Sequence, residues 1–423
     1  MTELGPQEVL DPFGDRLVSH DRTGDEVRVQ QLVAPGHFGS SGADKQDDQP
    51  PCGPSSRATS SKCWEPVWQA RSVLETSGSE TETSDQEGLA GIRVLEIGSG
   101  VGPAWVGKLF ADLGADVIRF ETSSDLVRNR PHELHRWLNA NKRSVTEDLW
   151  ALVPDADIVL HGLTPAVASA RGLSYAELAE AGKPSLVVTS LTPYGATGPY
   201  ADSAAEELNL IHASSWAFLS PSAATDPDLP PLKAPGHHAS LMVANGAAAA
   251  TLAAFDHADR TGSGRFVDFS GMAAGAKMTE TAPTFASFMN TDSSRLGVKT
   301  LLPWGIYPCA NGMIQIICVE ESHWDTLREL MGHPEWAEME IFATLEGRQD
   351  NVDLLDLYLG DWLKTQDVYE FYEAAQAARV PFTLVNSMAQ LEESRQFADR
   401  GFFAHTPDGL KVPGAGFKLD QPW

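Results

Sequence analysis

Two groups of residues in this chain have types and spacings that suit chemistry. The first is a glycine turn, VLEIGSGVG from Val94, which follows an apolar run and precedes an amphipathic stretch. Glycines at 98, 100 and 102 let a ligand approach the backbone, and the free N–H groups of a helix start attract an anion. Glu121 follows Gly102 by 19 residues, where an acid would bind ribose hydroxyls. This segment alone reads either as the first motif of an S-adenosylmethionine-dependent methyltransferase or as any nucleotide-binding βαβ turn. The second group is a cationic island. Arg128, Arg130, Arg136, Lys142 and Arg143 stand against the single acid Glu133, with His132 and His135 beside them. Such a cluster needs counter-charge. A phosphorylated ligand would supply it, and so would carboxylates elsewhere in this acidic chain. Coenzyme A suits the island better than adenosylmethionine, which carries no phosphate.

Several elements must position these groups. Ile92 to Ile97 reads as a buried strand, Ala104 to Leu113 as an amphipathic helix stopped by Gly114, and Asp116 to Phe120 as the next strand. This βαβ unit opens a doubly wound sheet. Further strands are expected at Asp157 to Leu160 and Ser185 to Leu191. Ala239 to Ala258 reads as a small-residue core helix, followed by a turn and strand in TGSGRFVDFS. Leu301 to Val319 reads as a β-hairpin turning at Ala310-Asn311-Gly312. Helical patterns fill 321–332, 352–364 and 367–379. Val380 to Val385 is expected to be a strand and Met388 to Arg400 a helix.

Charge and composition narrow the function. Of 423 residues, 31 are Lys or Arg and 58 Asp or Glu, a net charge of −27. That excess argues against nucleic acid or an anionic membrane surface as a partner. Four cysteines without a C-x-x-C pair offer neither a disulfide scaffold nor a metal-ligand spacing. The first ten residues contain Glu3 and Glu8 and no apolar block, so no secretory signal is expected. Ala239 to Phe255 is uncharged but short and weakly apolar for a membrane span. Thr300 to Val319 is broken by Pro303, Gly305, Pro308 and Gly312. A soluble cytoplasmic protein is the expectation. Residues 1–88, with 16 acids against 7 bases and little periodicity, read as a disordered acidic leader.

From Leu89 onward the chain resembles the family III CoA-transferases, which include formyl-CoA and carnitine CoA-transferases and α-methylacyl-CoA racemase. The resembling pieces keep the family's order. They are GIRVLEI with Gly102-Pro103, LFADLGADVIRFE, NKRSV from Asn141, LVVTSLTPYGATGPYAD from Leu186, PPLKAPG from Pro230, TGSGRFVDFS from Thr261, PWGIYPCANGMIQI from Pro303 and VPFTLVNSMAQL from Val380. The resemblance implies an α/β fold. A Rossmann-like large domain would span 89–294, a smaller α/β domain 295–384, and residues 385–423 would return to the large domain. It implies an interlocked dimer, either a homodimer or a heterodimer with a related subunit. No cofactor would be bound permanently. Coenzyme A and its acyl thioesters would be substrates, held by Gly102, Pro103, Arg128, Lys142 and Arg143, and CoA would move between carboxylic acids.

The chain departs from the family where the chemistry is expected. The transferases place an aspartate at the start of the alanine-rich helix, where it attacks acyl-CoA to form a mixed anhydride and then an enzyme–CoA thioester. Counted back from Thr251 to Phe255, that position holds Ser240, and no Asp or Glu lies between Asp228 and Asp256. A serine hydroxyl cannot form the anhydride. Glu207, in EELNLIHASS, aligns with a second acid of the family and is a candidate catalytic carboxylate. The racemase's histidine falls on Glu206. His237 and His238 are candidate proton-transfer bases because imidazole titrates near neutral pH. A segment that touches CoA in the family reads His161-Gly162-Leu163 here. Three readings stand: CoA transfer, within a hetero-oligomer whose partner brings the aspartate; enolate chemistry at the α-carbon of an acyl-CoA; or a catalytically silent CoA-binding subunit.

Overall fold

The computed structural model describes residues 88–418, except 123–131, 147, 222–225, 227, 280, 297–300 and 407–408. The acidic leader and Arg128 therefore lie outside the described residues.

Six strands form one parallel sheet: β1 (Arg93–Ile97), β2 (Asp116–Phe120), β3 (Arg143–Val145), β4 (Ile158–His161), β5 (Val187–Thr192) and β6 (Arg265–Ser270), in the order β3-β2-β1-β4-β5-β6. The central strands are buried on both faces, as helical crossovers require. Val94 aligns with Val117 and Ile158, and Leu95 with Ile118 and Val159, so each face presents rows of branched apolar side chains. Among the described residues, nine helices lie within or just after this region: α1 (Val101–Asp112), α2 (His132–Asn139), α3 (Leu149–Leu152), α4 (Pro165–Ala170), α5 (Tyr175–Ala181), α6 (Glu207–Ala213), α7 (His238–Thr261), α8 (Gly271–Lys277) and α9 (Thr281–Met289). Strand order reverses between β1 and β4. The crevice outside their carboxyl ends is the place where a doubly wound sheet binds its ligand.

Helix α7 carries the alanine-rich sequence and is 24 residues long. That exceeds the short stretch expected from sequence and reaches membrane-spanning length. It packs on α1, α6, α8, β5 and β6 as a core helix of the sheet layer. Its small residues permit this close approach. Ala244 and Ala247 are fully buried, and Thr251 donates to the Ala247 carbonyl at 2.7 Å and shares a 2.8 Å bond with Thr189. Trp105 of α1 donates to Asn245 Oδ1 at 2.9 Å, tying the two helices together.

A second apolar core forms around an antiparallel sheet of β7 (Trp304–Cys309), β8 (Gly312–Ile317) and β9 (Thr383–Leu384). Helices α10 (Glu321–Leu330), α11 (Leu345–Asp350), α12 (Val352–Leu363) and α13 (Val368–Ala377) belong to this part of the chain. Trp324, Phe342, Leu355 and Phe382 are among its fully buried side chains. The expected strand from Val380 to Val385 shrinks to two residues. Arg379 takes φ 61°, Val380 N–H bonds back to the Ala375 carbonyl and Phe382 N–H to the Val380 carbonyl, so pairing with β8 starts at Thr383, and Val385 N–H adds a 2.9 Å bond to the Met313 carbonyl. The expected helix from Met388 to Arg400 is split into α14 (Met388–Glu392) and α15 (Arg395–Arg400), because Ser394 is extended and starts the second helix. Strands β10 (Phe403–His405) and β11 (Lys411–Pro413) form a ribbon, and Pro413 accepts a 3.2 Å bond from Trp137 of α2.

Candidate active site

Sequence positions far apart converge outside the carboxyl ends of β1, β4 and β5. Gly98 leaves β1 with φ 96°, a conformation that favours glycine. Gly100 then starts α1 without a side-chain cap, which leaves the first-turn N–H groups to other acceptors. A Cβ on Gly102 would lie 2.9 Å from Leu191 Cδ2 and 3.9 Å from the Ser240 carbonyl oxygen. A Cβ on Gly162 would lie 3.0 Å from Pro103 Cγ and 3.4 Å from the Leu191 carbonyl oxygen. The glycine turn, the end of β4, the end of β5 and the start of α7 are thus one contiguous wall.

Glu207 and Ser240 meet at this wall. Glu207 is the first residue of α6, and Ser240 is in the first turn of α7. Glu207 Oε1 accepts from Ala239 N–H at 2.7 Å. Oε2 accepts from Ser240 N–H at 2.9 Å and from the Ser240 hydroxyl at 2.5 Å. The carboxylate thereby caps a helix that does not contain it, with its charge at the positive end of the helix dipole. Leu210 and Ile211 of α6 pack with Ala239 and Val243 of α7, which sets the distance between the two side chains. His237 is the half-buried N-cap residue of α7, and His238, its first helical residue, is exposed. Glu206 is the N-cap of α6, its side chain and that of Asn209 forming a reciprocal capping box.

Two residues of the cationic island, Lys142 and Arg143, pair with carboxylates of the chain. Lys142 does not offer its charge to a phosphate in the cleft: its ammonium is buried and donates to Glu96 Oε2 at 2.7 Å, the Ala104 carbonyl at 2.7 Å and Asn139 Oδ1 at 3.2 Å. Glu96 also accepts from Arg119 at 2.6 Å, and Arg119 donates to Glu121 at 3.2 Å. Glu121, a candidate ribose ligand on sequence grounds, therefore holds a buried guanidinium. Burial pushes the Lys142 ammonium down to about 8, with the Glu96 charge opposing that shift. Arg143 pairs with Asp116 in a partly exposed contact. Both residues follow the reading in which the island is neutralised by carboxylates of the chain itself.

His161 belongs to the segment that touches CoA in the family resemblance. It ends β4, is 4% exposed, and burial pushes its imidazole down to about 4. Nδ1 accepts from Leu163 N–H at 3.3 Å, so the ring is neutral at physiological pH with its proton on Nε2. A polar residue closing an otherwise apolar strand, IVLH, was the available signal. The charged network had a signal too: Glu96 and Arg119 interrupt two adjacent buried strands and align in register.

A doubly wound sheet with a glycine wall and a carboxylate–hydroxyl pair beside its switch point belongs to the class of α/β folds that bind ligands outside the carboxyl ends of their strands. Residues 89–422 match CoA-transferase family III, and the chain belongs to that family. It is 27% identical over 359 residues to the succinyl-CoA–L-malate CoA-transferase alpha subunit of Chloroflexus aurantiacus, covering 79% of this chain and 82% of that one. It is 28% identical over 346 residues to the succinyl-CoA:(R)-benzylsuccinate CoA-transferase subunit BbsE of Thauera aromatica, covering 74% and 82%. The crystal structure of a CAIB/BAIF family protein from Brucella suis shares the fold. Its TM-score is 0.70 at 24% identity, over 78% of this chain and 92% of that one.

Proposed function

We propose that this chain transfers CoA between carboxylic acids as one subunit of an oligomer, in which a related subunit brings the carboxylate that takes up the acyl group. The substrates are acyl-CoA thioesters and free acids, with no permanently bound cofactor. The observation that carries this reading is the pair at the start of α7. Glu207 is tied to two backbone N–H groups and the Ser240 hydroxyl, and on the family resemblance Ser240 takes the place of the attacking aspartate. The covalent route needs an acyl anhydride and then a thioester on an enzyme carboxylate, and a hydroxyl supplies neither. This chain contributes the glycine wall at Gly102, Pro103 and Gly162 and the capped start of α7. Two of its relatives carry the word subunit in their names, which supports a two-part enzyme. Helix α9 supports an interface in an interlocked dimer: Phe285, Phe288 and Met289 are all exposed, Phe288 at 85%.

Enolate chemistry is the weaker reading, because Glu206 and Ser240 replace both proton-transfer groups of the racemase pattern and Glu206 is bound into its helix cap. The test is to purify the chain alone and together with a related subunit, then follow label from an acyl-CoA into a second acid. Transfer by the pair and none by the chain alone is expected. Full transfer by the chain alone, abolished by Glu207→Gln, would instead make Glu207 the acyl acceptor. Deuterium entering the α-carbon in heavy water would favour enolate chemistry.

A further inference from the structure

We propose that Ser240 and Glu207 form a nucleophile–base pair that hydrolyses acyl-CoA thioesters, an activity separate from CoA transfer. It rests on the reading above only in that the thioester lies at the start of α7. A nucleophile and base within hydrogen-bond reach, with the base held by a third group, is the arrangement that activates a serine. Ser240 Oγ donates to Glu207 Oε2 at 2.5 Å. The carboxylate is held by Ala239 N–H at 2.7 Å and Ser240 N–H at 2.9 Å. Those two backbone bonds already satisfy the helix start, so the cap does not require the hydroxyl. Both side chains are half-buried, which leaves them reachable while limiting water around them. The first turn of α1 has no side-chain cap and adjoins the same wall through Gly102.

The step balances without another reagent. Ser240 Oγ bonds to the thioester carbonyl carbon as its proton passes to Glu207. The tetrahedral adduct collapses, the C–S bond breaks, and CoA leaves as the thiol with that proton. Water then adds to the Ser240 ester, giving a proton to Glu207, which returns it to Oγ as the acid departs. The serine ester is a poorer acyl donor than the thioester, so a weak carboxylate nucleophile does not capture it. Water does, and the outcome is a free acid and CoA.

The test uses the full chain alone with acetyl-CoA and succinyl-CoA, no acceptor acid, and chromatographic detection of CoA. CoA release and an acyl adduct on the peptide containing Ser240 are expected. Ser240→Ala keeps both backbone bonds to Glu207 and is expected to fold, bind CoA by calorimetry and lose hydrolysis. Glu207→Gln is expected to slow it by about 10²–10⁴-fold, the usual range for a general base. CoA binding without hydrolysis, or hydrolysis undiminished in Ser240→Ala, would overturn the proposal while leaving the subunit reading intact. Absence of CoA binding, alone and with a related subunit, would remove both.

Discussion

Replacing Glu207 with alanine probes the joint between α6 and α7. The change strips the acceptor from Ala239 N–H, which is 1% exposed, and from Ser240 N–H, which is half-buried. An unsatisfied buried donor costs about 1–3 kcal/mol, and a lost charge at a helix N-terminus about 0.3–1 kcal/mol. The half-exposed donor regains water, so the sum is about 1–4 kcal/mol. A body of this size shifts its melting temperature by about 1–2 °C per kcal/mol, so a fall of about 1–8 °C is expected. Glu207→Gln keeps one acceptor oxygen, and the Ser240 hydroxyl can turn to accept from the amide, so its fall should be about half as large. Differential scanning calorimetry of both variants decides. Glu207→Ala melting within 1 °C of the native protein would show that the carboxylate does not hold the start of α7.

Other changes test neighbouring parts of the structure. A Cβ on Gly107 would fall 2.1 Å from Glu96 Oε2 and 3.2 Å from Lys142 Nζ, so Gly107→Ala should disrupt this buried pair at a cost of about 3–5 kcal/mol, read by urea unfolding. Lys142 adds a pH dependence. Its folded value of about 8 lies below the ordinary 10.5, so between these values the unfolded chain holds more protons and stability rises with pH. The stability difference between the native chain and Lys142→Met should grow, on the order of 3 kcal/mol, from pH 7.5 to 10.5. Parallel curves would contradict that assignment. Ser240→Asp puts a second carboxylate beside Glu207, at the position the resemblance assigns to the attacking aspartate. It should confer CoA exchange between acids on the isolated chain, measured with a labelled acceptor.

The parts of the fold legible in the sequence were those set by local patterns. The strands at β1, β4 and β5 are short apolar runs bounded by turns, because a parallel sheet buries both faces. The hairpin of β7 and β8 was legible from Ala310-Asn311-Gly312. Ser240 could be singled out from the sequence because it lies at the start of the alanine-rich helix. Its bond to Glu207 was not legible, since 33 residues separate them and the contact depends on how α6 packs on α7. The partner of Lys142 was not legible for a related reason: counting charges along the chain finds an excess of cations but cannot show that Glu96, 46 residues earlier, lies 2.7 Å away. The short β9 reflects two local bonds, Val380 N–H to the Ala375 carbonyl of α13 and Phe382 N–H to the Val380 carbonyl, which take those donors before the chain reaches β8.

The most direct measurement of the central claim, that a CoA thioester is presented to the start of α7, is peptide-resolved mass spectrometry of Ser240→Asp after exposure to acyl-CoA. Borohydride or hydroxylamine would trap whatever bond has formed. The account predicts a covalent acyl or CoA adduct at position 240. An unmodified position 240 in protein that demonstrably binds CoA, or an adduct confined to another element, would contradict it.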